Sequence, residues 1–261
     1  MLLRVRLSDL IVPDEAAYED FPLWAKLKAR LVEQEVEMYL ADPASSNRHW
    51  ADTALINHTV LLPRGATEIL HDRNVPADAL MHTAWHHAGV EAMGALSSSA
   101  EGLLLGESVA SAFDAFVVGT LLRTESEHPS ALDTQVPAMA EAAAAGGGSP
   151  EDFEALLHRM AEDPEGSFEE LRELLFDVSM GLLRADGVDA ADEVLSNVHG
   201  HVFAPILHHY DLSIWVLYAR AFGKDLKAHA SLRKIDVALR EESHPLAWLE
   251  SHWLDRGRSS A

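Results

Sequence analysis

The 261-residue chain contains no cysteine. This absence excludes disulfide bonds, thiolate metal sites and cysteine nucleophiles together. No segment approaches the roughly 18 uninterrupted apolar residues of a membrane-spanning helix, so we expect no membrane span. The N-terminal sequence also lacks the long apolar run and the small-residue cleavage site of a secretory signal. We therefore expect a soluble cytoplasmic protein.

Basic residues are scarce, because 20 Lys and Arg stand against 42 Asp and Glu, for a formal net charge of -22. A nucleic-acid-binding domain normally carries a basic surface, and an acidic field repels both phosphate and anionic lipid. The composition predicts neither a nucleic-acid nor a membrane partner. It is compatible with a small-molecule or peptide ligand, and it mildly favours cationic partners.

Apolar residues make up 48% of the chain, which is enough to bury a sizeable core. The opening stretch "LLRVRL" alternates apolar and basic residues and predicts a short strand. A second strand region is predicted in "DTALINHTVLLPRG", residues 52–65, which is rich in β-branched and apolar residues. Most of the remaining chain follows helical periodicity. We expect a mainly α fold with a small β element near the N-terminus.

A stretch rich in Ala, Gly, Ser and Pro, residues 129–149, contains the run "AAAAGGG". This composition predicts a flexible loop or linker. It would separate an N-terminal part, residues 1–128, from a helical C-terminal part, residues 150–261. We favour a single domain in which the two parts pack together, and a division into two domains stays open.

The histidines are numerous, at 15, and two of them lie four residues apart in "HTAWHHAGVEAMG", residues 82–94. On a helix this spacing places His82 and His86 on one face, where two imidazoles can share a tetrahedral ion. Glu107 follows 21 residues after His86, early in the next apolar helix. If the intervening loop folds that helix back, Glu107 faces both histidines and supplies a third ligand.

Asp114 lies seven residues beyond Glu107, two helical turns along nearly the same face. A carboxylate at this place can hold the outer ring nitrogen of a ligand histidine. Burying two carboxylates on a helix of small and apolar residues is costly unless a cation pairs with them. The spacing predicts His82, His86 and Glu107 as metal ligands, with Asp114 supporting a histidine.

The pattern of His82, His86 and the Glu107 helix "GESVASAFD", residues 106–114, resembles the gluzincin zinc metallopeptidases. Those enzymes combine a His-Glu-x-x-His helix with a glutamate from the following helix. The resemblance covers roughly residues 80–119. It implies a zincin-like helix pair, zinc as the cofactor, and the same three ligands with Asp114 behind them.

The sequence departs from the gluzincin pattern at Thr83, which stands where these enzymes keep a glutamate. That glutamate takes a proton from the metal-bound water, which threonine cannot do at neutral pH. The resemblance therefore implies a metal-binding protein in which ordinary hydrolysis is lost or altered. If the protein is an enzyme, a degenerate metallohydrolase is favoured over an oxidoreductase.

A second histidine cluster lies in "NVHGHVFAPILHHYD", residues 197–211. The largely apolar stretch 201–223 predicts one buried helix, with Trp215 in the core. On such a helix His208 and Asp211 are neighbours, and a histidine oriented by an aspartate is a recurrent acid/base pair. We name His208 and Asp211 as candidate catalytic residues.

Two other functions stay open. A helical protein with several histidines and carboxylates can hold two metals, and it would then be a di-iron oxidase or oxygenase with iron as the cofactor. Alternatively, the chain is an acidic helical interaction protein without a metal site.

Overall fold

Helices form most of the chain that the computed structural model describes, which comprises residues 2–41, 60–62, 65–67, 69–70, 73–124 and 130–255. The α-helices are α1 (Trp24–Glu33), α2 (Ala77–Met93), α3 (Ala100–Thr124), α4 (Ser130–Ala145), α5 (Pro150–Glu162), α6 (Pro164–Arg184), α7 (Val188–Asn197), α8 (Leu212–Phe222), α9 (Ala230–Glu241) and α10 (Pro245–Leu249). Short 3-10 turns occur at Leu7–Asp9, Glu15–Tyr18, Gly94–Ser98 and Ala204–Tyr210, and a π-helical turn at Glu250–Leu254.

The strands are short and precede α2. They are β1 (Leu2–Val5), β2 (Met38–Ala41), β3 (Val60–Leu62), β4 (Gly65–Thr67) and β5 (Ile69–Leu70). The central strand β2 pairs antiparallel with β1 and parallel with β5, while β3 and β4 form a separate antiparallel pair. The predicted mainly α fold with a small N-terminal β element is confirmed. Of the second predicted strand region, residues 52–59 and 63–64 lie outside the described residues.

Helix α3 is the centre of the core and contacts α2, α5, α6 and α8. Gly119 allows its close approach to α5, because a Cβ at this position would lie 2.2 Å from the carbonyl oxygen of Met160. Among the described helices, α3 alone is long and apolar enough to cross a membrane, and 83% of its most apolar window is buried inside the protein. The central helix of a globular core has the same length and composition.

The prediction of a flexible loop over residues 129–149 is wrong for Ser130–Ala145, which form α4. Alanine has the highest helix propensity, so its run extends the helix, and the three glycines that follow end it. Gly147, with φ of 85°, lies in the left-handed region that glycine adopts without strain. Buried Met139 of α4 belongs to one hydrophobic core with Trp24 and Leu249, which lie on either side of it in the chain.

Candidate metal centre

The two helices that carry the candidate ligands are joined by a short reversal. Helix α2 ends at Met93, and the 3-10 turn Gly94–Ser98 leads into α3, which begins at Ala100. The two helices pack against each other. This packing places Glu107 opposite the His82–His86 face of α2, so the structure brings the three predicted ligands together.

The donor atoms of the three side chains converge on one point. The Nε2 atoms of His82 and His86 are 3.0 Å apart. Glu107 approaches with Oε2 at 3.3 Å from His86 Nε2 and Oε1 at 3.8 Å from His82 Nε2. A tetrahedral zinc ion with ligand bonds of about 2.0–2.1 Å has ligand atoms about 3.3 Å from one another. With one donor atom from each residue, the three donors lie within 4.8 Å of one another, and the 3.0 and 3.3 Å contacts of His86 Nε2 are close to the spacing of such a coordination shell.

Asp114 lies behind His82, where its Oδ2 is 2.9 Å from the ring Nδ1. A carboxylate accepts this hydrogen bond, so the His82 proton is on Nδ1 and the lone pair of Nε2 faces His86 and Glu107. On the same helix, Ser111 Oγ donates to Glu107 Oε1 at 3.4 Å. Both contacts orient ligand groups toward the centre.

His86 is the most buried of the three, with 7% of its surface exposed. Burial lowers the pKa of His86 well below its usual value, and the neighbouring His82 and His87 rings lower it further. A neutral imidazole is the form that binds metal ions.

Thr83 does not face this centre. Its side chain is buried, and Oγ1 donates to the carbonyl oxygen of Ala79 at 2.9 Å. Glu91 is the first acidic residue after His86 on α2. Its carboxylate bonds Arg30 and Gln34 and is therefore not available to the metal donors. Neither residue supplies a base to the donors.

A cavity of about 340 Å³ opens beside the donors. Its wall comes from α2, α3, α4, the 3-10 turn Ala204–Tyr210 and α8, so all five elements position the site. The ionisable, amide and hydroxyl side chains in the wall are Asp78, His82, Glu107, Ser111, Asp114, Gln135, His209, Tyr210, Asp211 and Tyr218.

The sequence assigned no role at the site to six of these polar residues, Asp78, Ser111, Gln135, His209, Tyr210 and Tyr218. His209 Nε2 lies 3.2 Å from Oε1 of Gln135, and the Gln135 side chain also bonds the Asp78 carboxylate. Asp78 precedes His82 by four residues, and this helical spacing indicates that both side chains lie on the same face of α2. Gln135 had no such signal, because it lies in the stretch predicted as a loop.

The predicted helix over residues 201–223 is interrupted. The 3-10 turn ends at Tyr210, and Asp211 has a left-handed backbone with φ of 48° before α8 begins. The helical spacing that would pair His208 with Asp211 is therefore not formed. Asp211 and His208 are both exposed to solvent, but Asp211 lies at the cavity wall and His208 lies outside it. His209 faces the cavity instead, and burial lowers the pKa of His209.

Within the described parts of the chain, His82, His86 and Glu107 form a single converging group of three metal-type ligands. Comparison of the chain with protein-family models, curated proteins and solved structures finds no match. The geometry of the centre and its cavity is therefore the basis for assigning a function.

Proposed function

We propose that the protein binds one divalent metal ion, zinc in the first place, through His82, His86 and Glu107. The observation that carries this proposal is the convergence of two imidazole nitrogens and a carboxylate within 4.8 Å of one another, which is close enough for one ion to draw them into a tetrahedral shell. This donor set suits zinc, and iron accepts the same donors.

The electrostatics of the centre support a cation. Glu107 and Asp114 are both mostly buried, with side-chain exposures of 20% and 15%. Carboxylates in such surroundings are costly unless positive charge compensates them. A dication between the two histidines and Glu107 compensates Glu107 directly and Asp114 through His82.

The cavity makes the centre accessible to a small ligand. A metal ion with three protein ligands keeps a position for a further group, and a bound zinc ion supplies Lewis acidity there. Thr83 offers no base and Glu91 is bonded elsewhere, so α2 lacks the glutamate that a gluzincin peptidase carries on this helix. We therefore favour metal-dependent binding of a small molecule or peptide, with ordinary peptide hydrolysis lost or altered.

Metal analysis of the purified protein, followed by zinc titration of the chelator-treated protein, tests this function. Wild type is expected to bind one equivalent, and His82→Ala or Glu107→Ala to weaken binding by a hundredfold or more. His208→Ala is the matched control, because this exposed histidine lies outside the cavity wall, and its affinity should equal that of wild type.

Two outcomes favour the other functions. Two irons per chain with the optical spectrum of an oxo-bridged pair would favour the di-iron oxidase. The metal proposal would be overturned if the purified protein carries no metal and its melting temperature is unchanged by zinc, iron and chelator. That result would favour the acidic interaction protein.

A further inference from the structure

The cavity beside the metal centre is strongly anionic. Four carboxylates line it, those of Asp78, Glu107, Asp114 and Asp211, and the described residues of its wall include no lysine or arginine. A dication at the centre offsets Glu107 and Asp114. Buried Asp78 and solvent-exposed Asp211 then remain without a positive charge in the wall, so the cavity favours a positively charged ligand, chiefly through Asp78.

Of the four carboxylates, Asp78 points most directly to a ligand through its burial and its incomplete hydrogen bonding. It lies in the first turn of α2, and only 5% of its surface is exposed. The backbone N–H of Ala79 and the Gln135 side chain both bond the carboxylate, while Oδ1, which is itself buried from solvent, has no hydrogen-bond partner in the described structure. A buried acceptor without a donor costs free energy, and a ligand that brings a donor recovers it. Burial, with Asp114 as a further cause, raises the pKa of Asp78 to about 6, so the group is predominantly ionised at pH 8.

The rest of the cavity wall suits the body of an organic molecule. Tyr210, Trp215 and Tyr218 contribute aromatic rings, and Leu103 and Ile214 contribute aliphatic surface. Aromatic faces attract cations, and the combination of apolar walls with few polar groups is typical of small-molecule sites. The volume of about 340 Å³ is within the usual range for such sites.

A second metal ion fits these observations less well than an organic cation. Asp78 and Asp211 belong to no converging group of three metal-type ligands in the described part of the chain. An organic ammonium ion, in contrast, needs only one carboxylate to accept its hydrogen bonds and an apolar surface to contact its carbon atoms.

We infer that the cavity binds a small organic cation, with an ammonium group donating to Asp78 and an apolar or aromatic body against Trp215. The inference rests on the proposed function in that this cation is the ligand the metal centre would hold or act on. The charge of the cavity favours a cation with or without the ion.

Calorimetric titration with 2-phenylethylamine, an ammonium ion at pH 8, tests the inference against its neutral counterpart 2-phenylethanol. Wild type should bind the amine at least tenfold more tightly than the alcohol. Asp78→Asn should weaken amine binding about tenfold or more and leave the alcohol unchanged, because it removes the charge and keeps the shape. Asp192→Asn removes an equal charge from the exposed surface of α7, and its amine affinity should match wild type.

An amine can also coordinate a metal, so the titrations are repeated on chelator-treated protein and on His86→Ala. Amine binding that persists there and depends on Asp78 supports the inference, even if the metal proposal fails. The inference would be overturned if amine binding is lost with the metal and is unchanged in Asp78→Asn. Equal affinity for amine and alcohol would also overturn it. Trp215→Leu provides a second variant, in which amine affinity should fall severalfold more than alcohol affinity.

Discussion

Asp114 accepts a hydrogen bond from His82 across the interface of α2 and α3, at 2.9 Å between Oδ2 and Nδ1. The contact fixes the proton of His82 on the outer nitrogen and directs the other nitrogen toward His86 and Glu107. Through this contact α3 orients a candidate metal ligand that belongs to α2.

Replacing this support should weaken the centre without removing it. Asp114→Asn is expected to lower zinc affinity by about 10–100-fold at unchanged stoichiometry, because the amide no longer stabilises the proton on Nδ1. Zinc titration against a competing chelator measures the change. Asp211→Asn serves as the control on the same cavity wall, and an equal loss of affinity in both variants would contradict a specific role of Asp114.

Thr83 is buried on the core side of α2, and this placement determines the effect of restoring the gluzincin glutamate. Thr83→Glu would bury a carboxylate away from the metal donors, so we expect a loss of several kcal/mol of stability and no gain of peptidase activity. Thr83→Val, which keeps the volume and removes only the hydroxyl, should lose about 1 kcal/mol or less. Thermal unfolding and a peptide cleavage assay check both variants, and a stable Thr83→Glu protein that cleaves peptides would contradict this orientation.

The raised pKa of Asp78, about 6 in the folded protein against a usual 3.8, predicts a pH-dependent stability. The folded state holds this proton more tightly than the unfolded state, so its stabilising contribution is complete below pH 3.8 and lost as the pH rises through about 6. Asp78→Asn cannot ionise and so avoids the penalty of ionisation. The free energy of unfolding of the variant, relative to that of wild type, should therefore rise by roughly 3 kcal/mol between pH 4 and pH 8. Denaturant unfolding of both proteins in the presence of a chelator measures the difference. Parallel stability curves would show that Asp78 is not buried as described.

The close approach of α3 to α5 predicts contrasting effects at two glycines of α3. Gly119→Ala places a Cβ 2.2 Å from the Met160 carbonyl oxygen, so it should lower the free energy of unfolding by about 2 kcal/mol or more. Gly106→Ala meets only Met93 Cε at 3.7 Å, an ordinary contact, and should be neutral or stabilising by up to about 1 kcal/mol. Denaturant unfolding tests the pair, and equal effects would contradict the packing of α3.

The candidate ligands could be predicted because their arrangement is local. His82 and His86 share a helix, Glu107 lies in the third turn of the next one, and the connection between the helices is too short for many geometries. Asp114 follows from the periodicity of the same helix as Glu107. The alternation in the opening residues likewise identifies β1.

The rest of the site depends on tertiary contacts that leave no periodic signal. The composition of Ser130–Ala145 fits a loop as well as a helix, and packing against the core decides in favour of α4, which delivers Gln135. The left-handed backbone of Asp211 changes which histidine faces the cavity, and helical spacing across that residue therefore points to His208 instead of His209.

X-ray absorption at the zinc edge tests the central claim most directly, because the spectrum reports the ligands of the bound ion. We predict a four-coordinate first shell at about 2.0–2.1 Å, with the outer-shell scattering of two imidazoles in wild type and loss of the bound ion in His86→Ala. A shell of oxygen atoms alone, or a spectrum unchanged by His86→Ala, would contradict the account.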